Sequence, residues 1–503
     1  MPHSCLICSL TIIKLKFIFL YQKPYFCRIK SIFINAKLTF MKRTLLLFMV
    51  FCFSSLVYGQ YITPGTGVSW TFNDLVQESG GVVTVDNGIF TVHQNLTVSL
   101  TDTLRVVENE TIKFDPTILL TVKGVFIADA PDQSLFTVST EDQFFKGFRF
   151  ESSHASVIRN CVIEYAGGIQ IIGSQMLLEG NTIRFFNRSN TTGAIQVSNG
   201  RTWIKNNEIH QNHGPAIASA SNGAAAPQIF NNNIWSNNTG NTNAPQINLG
   251  SASGDTIRII GNTIIGQYLM SGGIAVSTLI GGGCISIVED NYIENNRYGY
   301  TAIGNNIYSI VRNNQIFGND IQNDPNLGGS GLNFNGGTTN TGIVSFNEVS
   351  GNLWGITLQG SATPNLGDMS NPEVYPGGNK FYDNGNNGQI FAMYNNTAQN
   401  QIAQNNYWGY NDVDSVEMVI VHQPDDPALG FVDYLPIMVL NPVLTGDANC
   451  DGEVDVLDII CISNYILGHD PEPFCFENAD INEDGIIDLL DIIRTANIIL
   501  RLD

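Results

Sequence analysis

Charge is scarce in this chain: only 14% of its 503 residues are charged, and the 24 Lys and Arg are outnumbered by 45 Asp and Glu. Residues 1–59 hold eight of those bases and no acid at all. The remainder carries 16 bases against 45 acids, a net charge of −29. That balance excludes nucleic acid and anionic membrane surfaces as partners. Helical periodicity is missing as well. From Gln60 to about Asp132 no segment keeps it over ten residues. Beyond residue 59 there is no paired Cys-x-x-Cys spacing for zinc, and the five cysteines left there, an odd number, exclude complete internal pairing.

The acid-free N-terminus has its own logic. Met41-Lys42-Arg43 opens a basic segment, Leu45–Phe53 is apolar, and Ser54–Gly59 supplies a polar, small-residue cleavage region. This reads as a secretory signal peptide, with translation starting at Met41 and residues 1–40 an upstream extension. The apolar run is too short to span a bilayer, so no transmembrane segment is expected in the mature protein. An exported protein also permits a bridge between Cys450 and Cys475. Cys161 and Cys284 lie in strand-like runs and read as buried apolar residues.

What the body does contain is short β-branched runs punctuated by Gly, Asp and Asn, such as Gly81–Val85, Leu96–Val98 and Leu119–Val122. Residues 60–154 read as the first rungs and cap of a β-solenoid, and 155–435 as its repeating body. There an Asn, any residue, then an apolar residue recurs at Asn160, Asn181, Asn207, Asn233, Asn262, Asn291, Asn314, Asn347, Asn379 and Asn406, mostly 21 to 33 residues apart. That interval is the length of one solenoid turn. A short strand cannot bury its apolar face alone; stacked on its neighbour it gains a parallel ladder and a continuous core. An Asn at each corner bonds the Asn above and below and tolerates left-handed backbone angles. A β-sandwich of short strands is the alternative, but it shows no corner repeat.

The pattern resembles the right-handed parallel β-helix family of pectin-lyase type over roughly 80–440. Asn405-Asn406-Tyr407-Trp408-Gly409 is similar to a motif that closes many secreted members. The resemblance implies polysaccharide as ligand or substrate, through a glycoside hydrolase, a polysaccharide lyase, or a carbohydrate-binding or surface scaffold. Hydrolases of this fold need two or three Asp on adjacent strands. Here the acids are scattered: Glu164, Glu179, Asp255, Glu289, Asp290, Glu294, Asp320, Asp324, Glu348 and Asp368. Glu289-Asp290 is the only adjacent pair among these, and no catalytic residue is assigned. His210 and His213 read as turn residues. Trp203, Trp235, Trp354 and the pair Tyr298 and Tyr300 fill the core or, if exposed, stack on sugar faces.

After a linker at 436–445, two copies of one pattern stand 33 residues apart. Asp447, Asn449, Asp451, Asp455 and Asp458 take loop positions 1, 3, 5, 9 and 12, and Asp480, Asn482, Asp484, Asp488 and Asp491 repeat them. Gly452 and Gly485 sit at position 6, and the carbonyls of Glu453 and Ile486 at position 7. This is the EF-hand spacing, in which a chain curls around Ca²⁺ to supply six to eight oxygens. Two departures from an EF-hand stand out: position 12 is Asp rather than Glu, and no helix precedes either loop. Paired loop–helix units of this kind resemble the dockerin module, across 446–503. That resemblance implies two bound Ca²⁺, an extracellular or cell-surface location, and a cohesin-like protein partner. The family recognises its partner through positions 10 and 11, here Val456-Leu457 and Leu489-Leu490. Such apolar pairs face a partner, a neighbouring domain or the opposite repeat. The whole chain therefore reads as an exported β-helix protein acting in polysaccharide recognition or breakdown, the alternative being a non-catalytic, adhesive surface protein.

Overall fold

The computed structural model describes residues 59–440 and 444–501. The signal-peptide reading and residues 441–443 of the linker fall outside them. From Gln60 onward the chain winds as a parallel β-helix. Fourteen short strands, one per turn, form a first face running from Gln60–Ile62 to Ile420–Val421. Every neighbouring pair in it is parallel.

One turn illustrates the path. Ile195–Gly200 lies on the first face and Trp203–Lys205 on a second; Asn206 bends the chain at φ 56°, and Glu208–His210 forms a third face. Gln211, at φ 54°, bends it again, and a loop returns to the first face at Ile217. The rungs between 60 and 154 share these ladders, as when Thr103–Val106 pairs with Val125–Ala128.

Register explains the core. On the second face Leu178, Ile204, Ile229, Ile259, Val288, Val311 and Val344 align in one inward column, each with no exposed surface. Ile183, Ile209, Ile234, Ile264, Ile293, Ile316, Val349 and Phe381 do the same on the third. Each such side chain contributes about 1.5–3 kcal/mol on burial, and β-branched shapes suit the pleated surface. A slip of one residue would turn a whole column outward.

The corners carry a buried amide ladder. Asn181, Asn207, Asn232, Asn262, Asn291, Asn314, Asn347, Asn379 and Asn406 are stacked, each Nδ2 donating to the next Oδ1 at 2.8–2.9 Å. Two of the sequence positions are corrected by one residue. Asn232 rather than Asn233 is the ladder member, and Asn233 is exposed on the following strand. Asn160 occupies the left-handed bend at φ 53°, and the backbone N–H of Cys161 donates to Asn181. The inward positions of Ile163 and Ile234 fix both registers.

A second amide ladder lies five residues further on. Asn212 donates to Asn237, and Asn296, Asn319, Asn352 and Asn384 continue the line. It is interrupted at the turn holding Gly266 and Gln267. There Gln246 accepts from Asn237, while the buried Asn296 Oδ1 has no partner.

Both ends are closed. Helix α1, Phe72–Glu78, is capped reciprocally by Thr71 and Asp74 and buries Phe72 and Leu75 over the first turns. At the other end Trp408 is fully buried and stacks on Phe381 at 5.1 Å. Helix α2, Val413–Glu417, follows, and its Glu417 accepts from Tyr434. Covered ends matter because an open parallel edge is a template for aggregation. The sequence around 72–78 carries too short a helical signal to be read before the fold.

Two outcomes follow from this packing. Asn262→Ala removes one amide donor and strands those bonded to it, costing about 2–4 kcal/mol. The exposed Asn233→Ala should stay within about 0.5 kcal/mol. Thermal denaturation of the two variants checks the assigned register. In the early rungs Glu110 has a buried carboxylate oxygen without a partner. Burial, and then repulsion from Glu108, pushes its carboxyl up to about 7. A raised acid favours the fold while protonated, so stability falls as pH rises from the usual carboxylate range through 7. Glu110→Gln should therefore raise Tm at pH 8 and leave it nearly unchanged at pH 4.

Candidate metal centres and solenoid faces

After the linker the chain forms α3, Val456–Ile466, α4, Phe476–Ala479, and α5, Leu489–Leu500. Each long helix is preceded by one of the acidic loops, and the two loops fold alike. Asp447 accepts from the N–H groups of Asp451 and Gly452, both at 3.0 Å. Asp480 accepts from Asp484 and Gly485 at 3.2 and 2.8 Å. Asp451 takes the Glu453 N–H, and Asp484 the Ile486 N–H. Gly452 and Gly485 adopt φ of 88° and 80°, which side-chain-bearing residues rarely do.

The last carboxylates close each loop. Asp455 and Asp488 are N-caps of α3 and α5, and Asp458 and Asp491 complete capping boxes with them. Asp458 also reaches back to the Asn449 N–H, and Asp491 to the Ile481 N–H, both at 3.0 Å. Asp458 and Asp491 are wholly buried. A buried carboxylate demands compensation, yet among the described residues no Lys, Arg or His forms an ion pair with any loop acid.

The donor set fits a hard cation, being entirely oxygen. Acids, His and Cys alone make no group of three close enough to hold a metal among the described residues. The loop chemistry adds the amide oxygens of Asn449 and Asn482 and the backbone carbonyls of Glu453 and Ile486.

The two repeats are stapled together. Cys450 and Cys475 form a disulfide, which ties the first loop to the start of α4. Asn478 donates to the Asp447 carbonyl, and a small core of Ala448, Cys461, Ile462, Ala479 and Ile487 fills the interior. Cys161, Cys284 and Cys461 are free and buried. Positions 10 and 11 face solvent: Val456 is 59% exposed, Leu457 52%, Leu489 66% and Leu490 43%. Ile460 and Ile493, one turn on, are exposed in the same register.

On the solenoid the scattered acids are engaged separately. Glu164 pairs with Arg184, Glu179 with Arg159 and Lys205, Asp255 with Arg201, and Glu289 with Arg312. Glu294 and Glu348 accept from Tyr292 and Tyr382, and Asp324 and Asp368 cap their own loops. Burial raises the carboxyl of Asp320. Asp290 occupies a left-handed bend beside the Asn291 corner.

The first face has a different surface. Its central outward row runs Thr97, Thr121, Arg149, Gln170, Gln196, Ala218, Asn248, Ala275, Thr301, Asn333, Thr357 and Tyr394. No carboxylate stands in this row. Trp354 lies at the edge of the same face, stacked on Tyr394 at 5.4 Å and tilted against Phe391.

The remaining aromatic candidates sit elsewhere. His210 is a strand residue rather than a turn residue, buried between Phe185 and Trp235 on the third face. Burial lowers its pKa. His213 bonds Asn190 in the return loop. Trp203 is 43% exposed and stacks on Phe230, whereas Tyr300 is core and bonds Ser309.

Comparison with known proteins agrees with the tail. Residues 445–500 match the dockerin type I domain. The chain is thus a parallel β-helix followed by a region that matches the dockerin type I domain; domains of that type generally bind calcium, and dockerins bind cohesins. No curated protein matches the chain. Solved structures similar to it include the periplasmic alginate epimerase AlgG, 12% identical, with 74% of this chain and 84% of that chain covered at a TM-score of 0.32. A double mutant of that enzyme is 11% identical over the same shares, with a TM-score of 0.41. The β-helix assignment here rests on the strand ladders themselves.

Proposed function

We propose that this is an exported glycan-recognition protein, whose β-helix meets polysaccharide while its C-terminal module attaches it to a cohesin-like partner. Two Ca²⁺ order that module. Asp447, Asn449, Asp451, Glu453, Asp455 and Asp458 hold one, and Asp480, Asn482, Asp484, Ile486, Asp488 and Asp491 the other. The observation that carries the reading is the pair of similarly bonded oxygen-lined loops, each ending in a buried carboxylate without a cationic partner among the described residues. Docking is apolar in character, since Val456, Leu457 and Ile460 recur as Leu489, Leu490 and Ile493 on exposed helix starts.

Recognition rather than turnover is favoured on the solenoid. The first face offers amides, hydroxyls and an aromatic edge, and its central row lacks the carboxylate pair that glycoside hydrolysis uses. Neutral amide and hydroxyl groups suit the hydroxyl pattern of sugars, and Trp354 and Tyr394 offer ring faces.

Calcium is tested by chelation. EDTA should abolish a calcium-dependent thermal transition of the full chain, and Asp451→Ala with Asp484→Ala should do so without chelator, because metal binding and folding are coupled. An unchanged melting profile would remove the calcium assignment. A glycan panel scored for both retention and new reducing ends tests the solenoid. Retention without product is expected; product release would make the protein an enzyme.

A further inference from the structure

At the corner between the first and second faces, neighbouring turns expose Ser253-Gly254, Asn305-Asn306 and Thr338-Thr339. The turn between the first two exposes Leu279 and Ile280 instead, at 68% and 71%. The Gly281 N–H donates to the Thr278 carbonyl at 2.9 Å, which puts these two residues at the centre of a β-turn. Gly, Pro, Asn, Asp and Ser dominate such positions. Two large aliphatic side chains there are left without the burial that stabilises them elsewhere.

The turn is held in place. Thr278 donates from its N–H to the Ile303 carbonyl at 2.9 Å and from its hydroxyl to the Asn305 carbonyl at 2.5 Å. The Gly283 carbonyl accepts from the Ala252 N–H at 3.0 Å. A tip fixed beforehand spares a binding event the cost of ordering it.

Beside the tip, where the second face begins, lies a pocket of about 310 Å³. Gly254, Gly283, Ile285, Asn306, Tyr308 and Thr341 are among its lining. Ile285 and Tyr308 are ladder neighbours, and both are exposed. The pocket is large enough to take a pair of aliphatic side chains. Charge is missing from this part of the chain. Residues 259–288, 298–311 and 325–347 hold no Asp, Glu, Lys or Arg, although the segment beyond residue 59 has 16 bases against 45 acids. Asp255 and Glu289, at the margins, are paired with Arg201 and Arg312.

We infer that two copies of this chain associate through this corner, with Leu279 and Ile280 of each seated in the pocket of the other. An apolar knob and a pocket stand side by side on one chain, so a two-fold axis between them joins both pairs at once. Any other partner would have to supply both shapes. Two acidic bodies repel each other, and an uncharged corner is where they can touch. The cores of protein interfaces are likewise depleted of charge. The contact is small, so the dimer belongs to the weak class, with a dissociation constant on the order of micromolar. This association depends on neither glycan nor calcium.

The test is sedimentation velocity on the full chain with calcium, over about 1 to 100 μM. A concentration-dependent dimer is expected, tightened by salt, which screens the repulsion and leaves apolar contact intact. Ile280→Asp at the tip and Ile285→Asp in the pocket should each weaken association at least about tenfold, with Tm unchanged because both side chains are exposed. Should either lower Tm, Leu279→Ser at the tip and Tyr308→Ser in the pocket carry the same expectations. An equal mixture of the tip and pocket variants should recover part of the association, because one intact tip still meets one intact pocket. Leu457→Ser with Leu490→Ser in the C-terminal module should change nothing. A monomer throughout, a dimer weakened by salt, a dimer untouched by the corner variants or lost in the module variant, or a mixture no tighter than the variants alone would overturn the inference.

Discussion

The buried amide ladder at the corner holds the rest of the molecule in register. Nine asparagines share one line of hydrogen bonds, and each also ties down backbone from the preceding turn, as Asn262 does with the Ile229 carbonyl. Buried amides are tolerable only when satisfied, and a continuous stack satisfies both donor and acceptor of nearly every member. Because the stack sits between two inward columns of Ile and Val, it fixes where each turn begins. The loops can then vary in length without disturbing the strands.

Much of this was legible in sequence because the physics is periodic. The asparagines stood at turn-length intervals, and the calcium-type loops announced themselves because oxygen ligands, a glycine and a closing carboxylate must fall at fixed offsets. Two corners stand one residue after or before the asparagine that the repeat suggests, at Asn160 and Asn233, because runs such as Asn231-Asn232-Asn233 offer several equivalent amides. Only the inward isoleucine two positions on decides among them. The second ladder has its own signal in Asn-x-x-x-x-Asn, which starts at 207, 232, 291, 314, 347 and 379 among other positions. Its signal was present; reading one corner per turn hid it.

What sequence withheld is the sidedness of surfaces. Trp354 and Trp203 look alike in the chain, yet one edges the amide-rich face and the other stacks on Phe230 of a different face. The exposure of Val456, Leu457, Leu489 and Leu490 likewise depends on how the two repeats pack. Their apolar character was visible, their direction was not.

The interruption of the second ladder between Asn237 and Asn296 leaves one turn less tightly joined than its neighbours. Most turns are laced by two amide ladders flanking the third face, but at Gly266 and Gln267 only the first ladder, through Asn262, passes. At that turn the neighbouring coils share one line of buried amide bonds where most share two, so fewer side-chain hydrogen bonds join them there.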